Sequence, residues 1–261
     1  MSSSELLQRA LAGSLSPTEF DRNLRDLEVS YRPRFRVYQA GEAVMFRARD
    51  LQHLARPTSA SELSYPPKQL TGPGRANAEG EQVFYASSRF APSFMECGLK
   101  VGEYVICSRW RNLTRIVMRE LGFNVDQDRS GLEGTFRDLF TDPHPLIYGY
   151  SAQVARRMMR KEGIAGVAYP SRAANARTEN YALKPSAVRE ALRAIDASLY
   201  RVKKSDGDWH VLEEIDFARA GDGGVLLWQG KPARHNGELR VVTEECEYRA
   251  YDGDGNLFEA A

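Results

Sequence analysis

The chain has 261 residues, 42% hydrophobic and 27% charged, with 36 Lys and Arg against 35 Asp and Glu for a net charge of +1. That is ordinary globular composition for one large domain or one domain with an elaboration, and no apolar run approaches the roughly 20 residues of a membrane-spanning helix. The N-terminus, Met1-Ser-Ser-Ser-Glu-Leu-Leu-Gln-Arg, lacks the basic segment and apolar block of a secretory signal. Cys97, Cys107 and Cys246 have no CxxC spacing, which argues against a disulfide framework or zinc knuckle and predicts a reducing, cytoplasmic setting.

The first thirty residues read as helical. Leu6, Leu7, Ala10 and Leu11 share a face, and Ser16-Pro17-Thr18-Glu19 combines a capping box with proline at the first helical position, ahead of Phe20, Leu24 and Leu27. Residues 34–39 and 43–49 are predicted strands; in the second, Val44, Phe46 and Ala48 alternate with Met45, Arg47 and Arg49. Residues 56–81, with four prolines and three glycines, form a long loop of the kind that is usually functional or disordered. A strand over 82–87, a short helix over 90–99 and a strand over 103–110 follow. The pattern then predicts a helix over 113–121, a polar stretch with Gly131 and Gly134, and a strong helix over 150–162 stopped by Gly163. A buried strand over 164–169, an extended segment over 180–184 and a helix over 187–195 complete this part.

Beyond it, strands over 199–204, 209–214, 225–229 and 238–251 alternate with turn signals at Asp206-Gly207, residues 221–224 and Asn236-Gly237, as in an antiparallel appendage. Residues 205–261 hold 13 acids and five bases, leaving the preceding residues with 31 bases against 22 acids. A mildly basic body attracts a compact anion, and equally pairs with its own acidic tail. The bases form no stripe interleaved with aromatics, so nucleic-acid binding is not expected.

Several common motifs fail. Asp252-Gly-Asp-Gly-Asn256 begins like a calcium loop, but Leu257 replaces its glycine and the chain ends before the twelfth-position glutamate, so a tight turn is expected. His53, His144, His210 and His235 have no HExxH or helical spacing. GxSxG, Walker and GxGxxG sequences are absent, and Gly72-Pro73-Gly74 is no phosphate loop because proline offers no N–H.

What survives is a set of pieces in one order: Phe46-Arg47-Ala48-Arg49; Gly74-Arg75-Ala76-Asn77-Ala78-Glu79-Gly80; Val83-Phe84-Tyr85-Ala86-Ser87 with Glu96 on the following helix; and Ala168-Tyr169-Pro170-Ser171 with Asn180-Tyr181-Ala182-Leu183 after it. Over about residues 43–185 this resembles the RES family, named for an arginine, a glutamate and a serine. Its members read as a strand with Arg, then Gly-Arg-x-Asn-x-x-Gly, a strand with Tyr, a helix with Glu, and later Pro-Ser followed by Asn. Members often carry tryptophan where this chain has Ala76, and residues beyond 200 lie outside the family core.

The resemblance implies an α+β fold similar to ADP-ribosyltransferases, a split antiparallel sheet with surrounding helices. The expected division is an N-terminal helical segment (1–33), a catalytic domain (34–198) and a C-terminal β-rich appendage (199–261). It also implies an enzyme that cleaves NAD+, as substrate and not as cofactor, at the nicotinamide–ribose bond using water or phosphate. Several relatives are toxins restrained by a cognate antitoxin, which is therefore an expected partner. No metal and no membrane are implied.

Such cleavage passes through an oxocarbenium-like transition state. It needs an anion near the ribose, cations for the diphosphate and a flat wall for nicotinamide. A buried carboxylate aimed at the developing charge supplies the electrostatic contribution, and Glu96 is the candidate. Arg47 matches the strand arginine and offers a planar fork to phosphate oxygens, although a two-residue slip exchanges it with Arg49 on the same face. Arg75 and Asn77 sit between Gly74 and Gly80, which let backbone approach a ligand; Asn77 either bonds a ribose hydroxyl or closes a turn. Tyr85 stacks on nicotinamide, orients a hydroxyl, or is core. Ser171 has no histidine nearby in sequence, so it is assigned to hydrogen-bonding substrate and not to covalent attack; Asn180 completes the set. ADP-ribosyl transfer to a macromolecule would use the same site. A non-catalytic module docking through the strand edges of its tail is the alternative from another class.

Overall fold

In the computed structural model, residues 1–51, 55–173, 177–206, 209–233, 238–244, 247–252, 254 and 256–260 are described. Helices α1 (Ser3–Leu11) and α2 (Pro17–Glu28) form as their signals predict. The Ser16 hydroxyl accepts from Glu19 N, and the Glu19 carboxylate closes the box on Ser16 N at 2.9 Å, a cap contributing about 1 kcal/mol. Leu6, Ala10, Phe20 and Leu24 are buried, whereas Leu11, placed on the same face by its spacing, is 46% exposed. These helices pack with α4 (Leu132–Thr141) and α5 (Tyr148–Met159) into one apolar cluster that includes Phe136, Phe140, Val154 and Met158.

Thirteen strands among the described residues make one mixed sheet, open and mostly antiparallel. They are β1 (Phe35–Tyr38), β2 (Val44–Leu51), β3 (Phe84–Ser87), β4 (Tyr104–Asn112), β5 (Ile116–Glu120), β6 (Gly166–Pro170), β7 (Glu179–Leu183), β8 (Leu192–Asp206), β9 (Trp209–Ala220), β10 (Leu226–Trp228), β11 (Glu238–Glu244), β12 (Glu247–Asp252) and β13 (Leu257–Ala260). Their order is β1-β5-β6-β7-β3-β2-β4-β8-β9-β11-β12-β13, with β10 on β9, and only β5–β6 is parallel. The C-terminal strands are antiparallel as expected, but they extend this same sheet: β8 pairs along β4 from Tyr104 to Asn112, and the expected boundary at 198/199 falls inside β8.

Three expectations are corrected. Residues 113–121 are not a helix: Ile116 and Met118 are buried alternately with half-buried Val117, and pairing with β1 and β6 makes this strand β5. The polar stretch after Gly122 contains α4, whose Leu132, Phe136, Leu139 and Phe140 follow helical spacing behind Gly131, which caps the helix at φ 72°. The helix expected over 187–195 is α6 (Pro185–Ala191); from Leu192 the alanine-rich chain pairs with β4, tertiary contact overriding propensity. Where a tight turn is expected after Asp252, its Oδ1 accepts from Asp254 N and Asn256 N, while Gly253 and Gly255 lie outside the described residues. His53, His235 and Cys246, and the turn positions Gly207, Asn236 and Gly237, lie outside the described residues.

Candidate active site

The sheet opens between β2 and β3, which share the single register pair Phe46–Ser87. On the other side, β3 pairs fully with β7, and β7 with β6. Residues opposite one another in these ladders share a face, so Tyr85, Ser87, Asn180 and Tyr169 all project on one side of the sheet. A cleft of about 240 Å³ lies at the opening, and its walls include Phe46, Arg47, Arg75, Tyr85, Glu96, Tyr148, Tyr169 and Asn180.

Helix α3 (Phe90–Met95) delivers Glu96 as its C-cap residue. A carboxylate gains nothing from the partly negative end of a helix, so its posture needs other contacts. Asn180 Nδ2 donates to Glu96 Oε1 at 2.9 Å, and Ser171 Oγ donates to the same oxygen at 3.2 Å. Glu96 Oε2 has no hydrogen-bond partner among the described residues. The glutamate is exposed at the cleft, not buried as expected, while Ser171 is fully buried. Ser171 therefore meets Glu96 and is not among the residues lining the cleft, where the sequence reading sets it against substrate.

Arg47 alternates to the face carrying Phe84, and its guanidinium lies 5.4 Å from that ring centre. Through the gap it donates to Tyr85 O (2.8 Å) and Leu63 O (3.0 Å). Both partners are neutral carbonyls, and among the described residues no carboxylate pairs with it. Burial pushes its pKa down to about 10, so it stays cationic at neutral pH. Arg49 also projects to this side but binds Glu62 O outside the cleft, which selects Arg47 over Arg49 as the cleft cation.

Residues 74–77 close on themselves, with Gly74 N to Asn77 O at 2.9 Å, and put Arg75 at the turn. Arg75 Nη1 donates to Asp142 O (2.8 Å), and its guanidinium stacks 5.1 Å from the Tyr148 ring centre. Asn77 is 2% exposed; its amide donates to Gly72 O and Ala78 O and its oxygen accepts from Tyr85 OH. It closes the turn and does not reach the cleft. Tyr85 OH also accepts from Ala76 N (2.7 Å), so its hydroxyl fastens the loop while the tyrosine lines the cleft; burial raises its pKa.

The cleft also contains residues not singled out from the sequence. Tyr169 stands on β6 two residues before Ser171, which follows the end of that strand, a spacing that could have marked it; its ring centre lies 4.7 Å from that of Phe140. Tyr148 opens α5, far in sequence from the arginine it supports, and no local signal marks it. Cys97 lines the wall beside Glu96, with its thiol pushed up to about 12 by burial. Among the described residues the walls present two guanidiniums without acidic partners, one fixed carboxylate and four aromatic rings. That suits a ligand with an anionic centre, a flat ring and a site of developing positive charge.

Among the described residues no cluster of His, Cys, Asp and Glu could hold a metal, and no helix is long and apolar enough to cross a membrane. No curated protein matches the chain. A family model described as RES domain matches residues 44–210, which include every cleft residue named above. The chain belongs to the RES domain family.

Proposed function

We propose that this protein cleaves the nicotinamide–ribose bond of NAD+, as a glycohydrolase or phosphorylase, on an ADP-ribosyltransferase-like sheet whose split is the opening between β2 and β3. The observation that supports this most is the pinning of Glu96 Oε1 by Asn180 and Ser171, which leaves Oε2 for the cleft. As the bond to nicotinamide stretches, positive charge grows on the ribose, and the carboxylate stabilises it. Arg47 and Arg75 hold the diphosphate, with Arg47 needing no separation from an existing acid. An incoming dinucleotide covers the exposed glutamate and strengthens its interaction with the ribose by excluding water.

Incubation of the pure protein with NAD+, with and without phosphate, followed by mass spectrometry, tests this. Free nicotinamide with ADP-ribose or its phosphate ester is expected; unchanged NAD+ under both conditions contradicts the proposal, and label on protein would make it a transferase. Depletion of NAD+ in growing cells, relieved by a cognate antitoxin, is the cellular role that fits this chemistry.

A further inference from the structure

Strand β1 lies outside the matched residues 44–210, yet it reaches the back of the strand that presents Asn180. The Arg36 guanidinium binds Glu120 Oε1 on β5, 2.8 Å from Nε, and also Glu179 on β7. The other Glu179 oxygen accepts from Tyr181 OH (2.8 Å), which lies 2.9 Å from Tyr38 OH. Two side chains of β1 thus enter one polar network around Glu179. Alternation along β7 puts Glu179 and Tyr181 on the face away from the cleft and Asn180 toward it.

Glu179 also holds the other side of the site. Its carbonyl accepts from Ser88 N (2.9 Å) and Ser87 Oγ (3.1 Å), and its N–H donates to Ser88 Oγ (3.3 Å). Ser87 and Ser88 lead directly into α3 and Glu96. One residue therefore ties together the segment carrying the donor Asn180 and the segment carrying the acceptor Glu96. The side chains of Glu120 and Glu179 are only 14% and 20% exposed and share Arg36 as their cation. Without it, two half-buried carboxylates repel each other directly behind Asn180.

We propose that Arg36 is a positioning residue that sets the Asn180–Glu96 contact from the opposite face of the sheet, which makes β1 part of the functional unit. The proposal rests on the functional reading above where catalysis is its readout. Arg36→Met keeps the stem and deletes the charge. Assayed with NAD+ well below its Tm, it should lower kcat about tenfold while KM stays within about twofold, because misplacement affects the reacting group and not the diphosphate grip. Arg36→Lys should recover most of that loss. A lowered Tm with wild-type kcat would overturn the proposal.

A second measurement needs no activity. The Asn180 side-chain amide signals, identified by their loss in Asn180→Ser, should move in Arg36→Met toward those of an exposed asparagine. Should Arg36→Met not fold, Arg36→Met/Glu179→Gln removes one of the orphaned charges and is read in the same way. Signals at wild-type positions overturn the inference whether or not NAD+ is cleaved; absence of cleavage by the wild type overturns only the functional reading.

Discussion

Gly74→Ala introduces a methyl group where two polar atoms already stand. A Cβ built there lies 2.7 Å from Asn77 Oδ1 and 2.8 Å from Tyr85 OH, and neither atom is the end of a flexible chain free to swing away. Asn77 is locked by its amide on Gly72 O and Ala78 O, and Tyr85 OH by Ala76 N. Gly74 does not have a positive φ, so the effect is steric and not conformational. Forcing these groups apart breaks the Tyr85–Asn77 hydrogen bond and leaves a buried acceptor unmet, at about 1–3 kcal/mol. Overpacking adds a comparable amount, so about 3 kcal/mol in all is expected. At roughly 2–4 °C per kcal/mol for a chain of this size, Tm should fall by roughly 6–12 °C in a calorimetric scan. Arg75 rides on this turn, so KM for NAD+ should rise as well. The double variant Gly74→Ala/Tyr85→Phe, which removes one of the two obstacles, should cost less than the sum of the single changes. A Gly74→Ala protein within about 0.5 kcal/mol of wild type would refute the close approach on which this reasoning depends.

Ser171→Ala removes one of the two donors to Glu96 Oε1, a bond to a charged group contributing about 1.5–3 kcal/mol, so kcat should fall roughly tenfold or more with little change in KM; an unchanged kcat contradicts its positioning role. Burial places Arg47 deprotonation at about pH 10, so affinity for ADP-ribose by calorimetry should decline as pH rises through that value. The unfolded chain holds this proton more tightly, so stability contributed by this group rises over the same interval, which separates lost binding from unfolding; constant affinity there would count against Arg47 as the diphosphate cation. Burial lowers the His210 pKa, and its Nδ1 has no partner among the described residues. The unfolded state then binds the proton first, so stability is lost as pH falls below about 6.5 toward the folded value. His210→Phe, keeping a ring against Phe94, should flatten that decline in urea titrations, and an unaltered slope would exclude His210 as its source.

Local chemistry was legible where a short segment decides its own structure. The capping box at Ser16–Glu19 and the alternation in β2 needed no distant contact to be read. Strand β5 and the start of β8 look helical in sequence because alanine, leucine and arginine favour helices until a neighbouring strand claims their backbone. The site residues were legible as residue types, but their division of labour was not. Ser171 and Asn180 lie 75 and 84 residues beyond Glu96, and only the fold shows both donors meeting one oxygen. Asn77 has two readings in sequence, and its two side-chain hydrogen bonds within the loop, with a third from Tyr85 on β3, decide for the turn. The Arg36 network joins β1, β5 and β7, with no spacing that would mark it in the chain.

The most direct test is the rate of nicotinamide release from NAD+ by wild type and Glu96→Gln, which keeps the hydrogen-bonding shape and removes the charge. Losing the electrostatic stabilisation should lower kcat about 100-fold or more with Tm and ADP-ribose affinity close to wild type. Equal rates in the two proteins would show that the carboxylate does no chemistry.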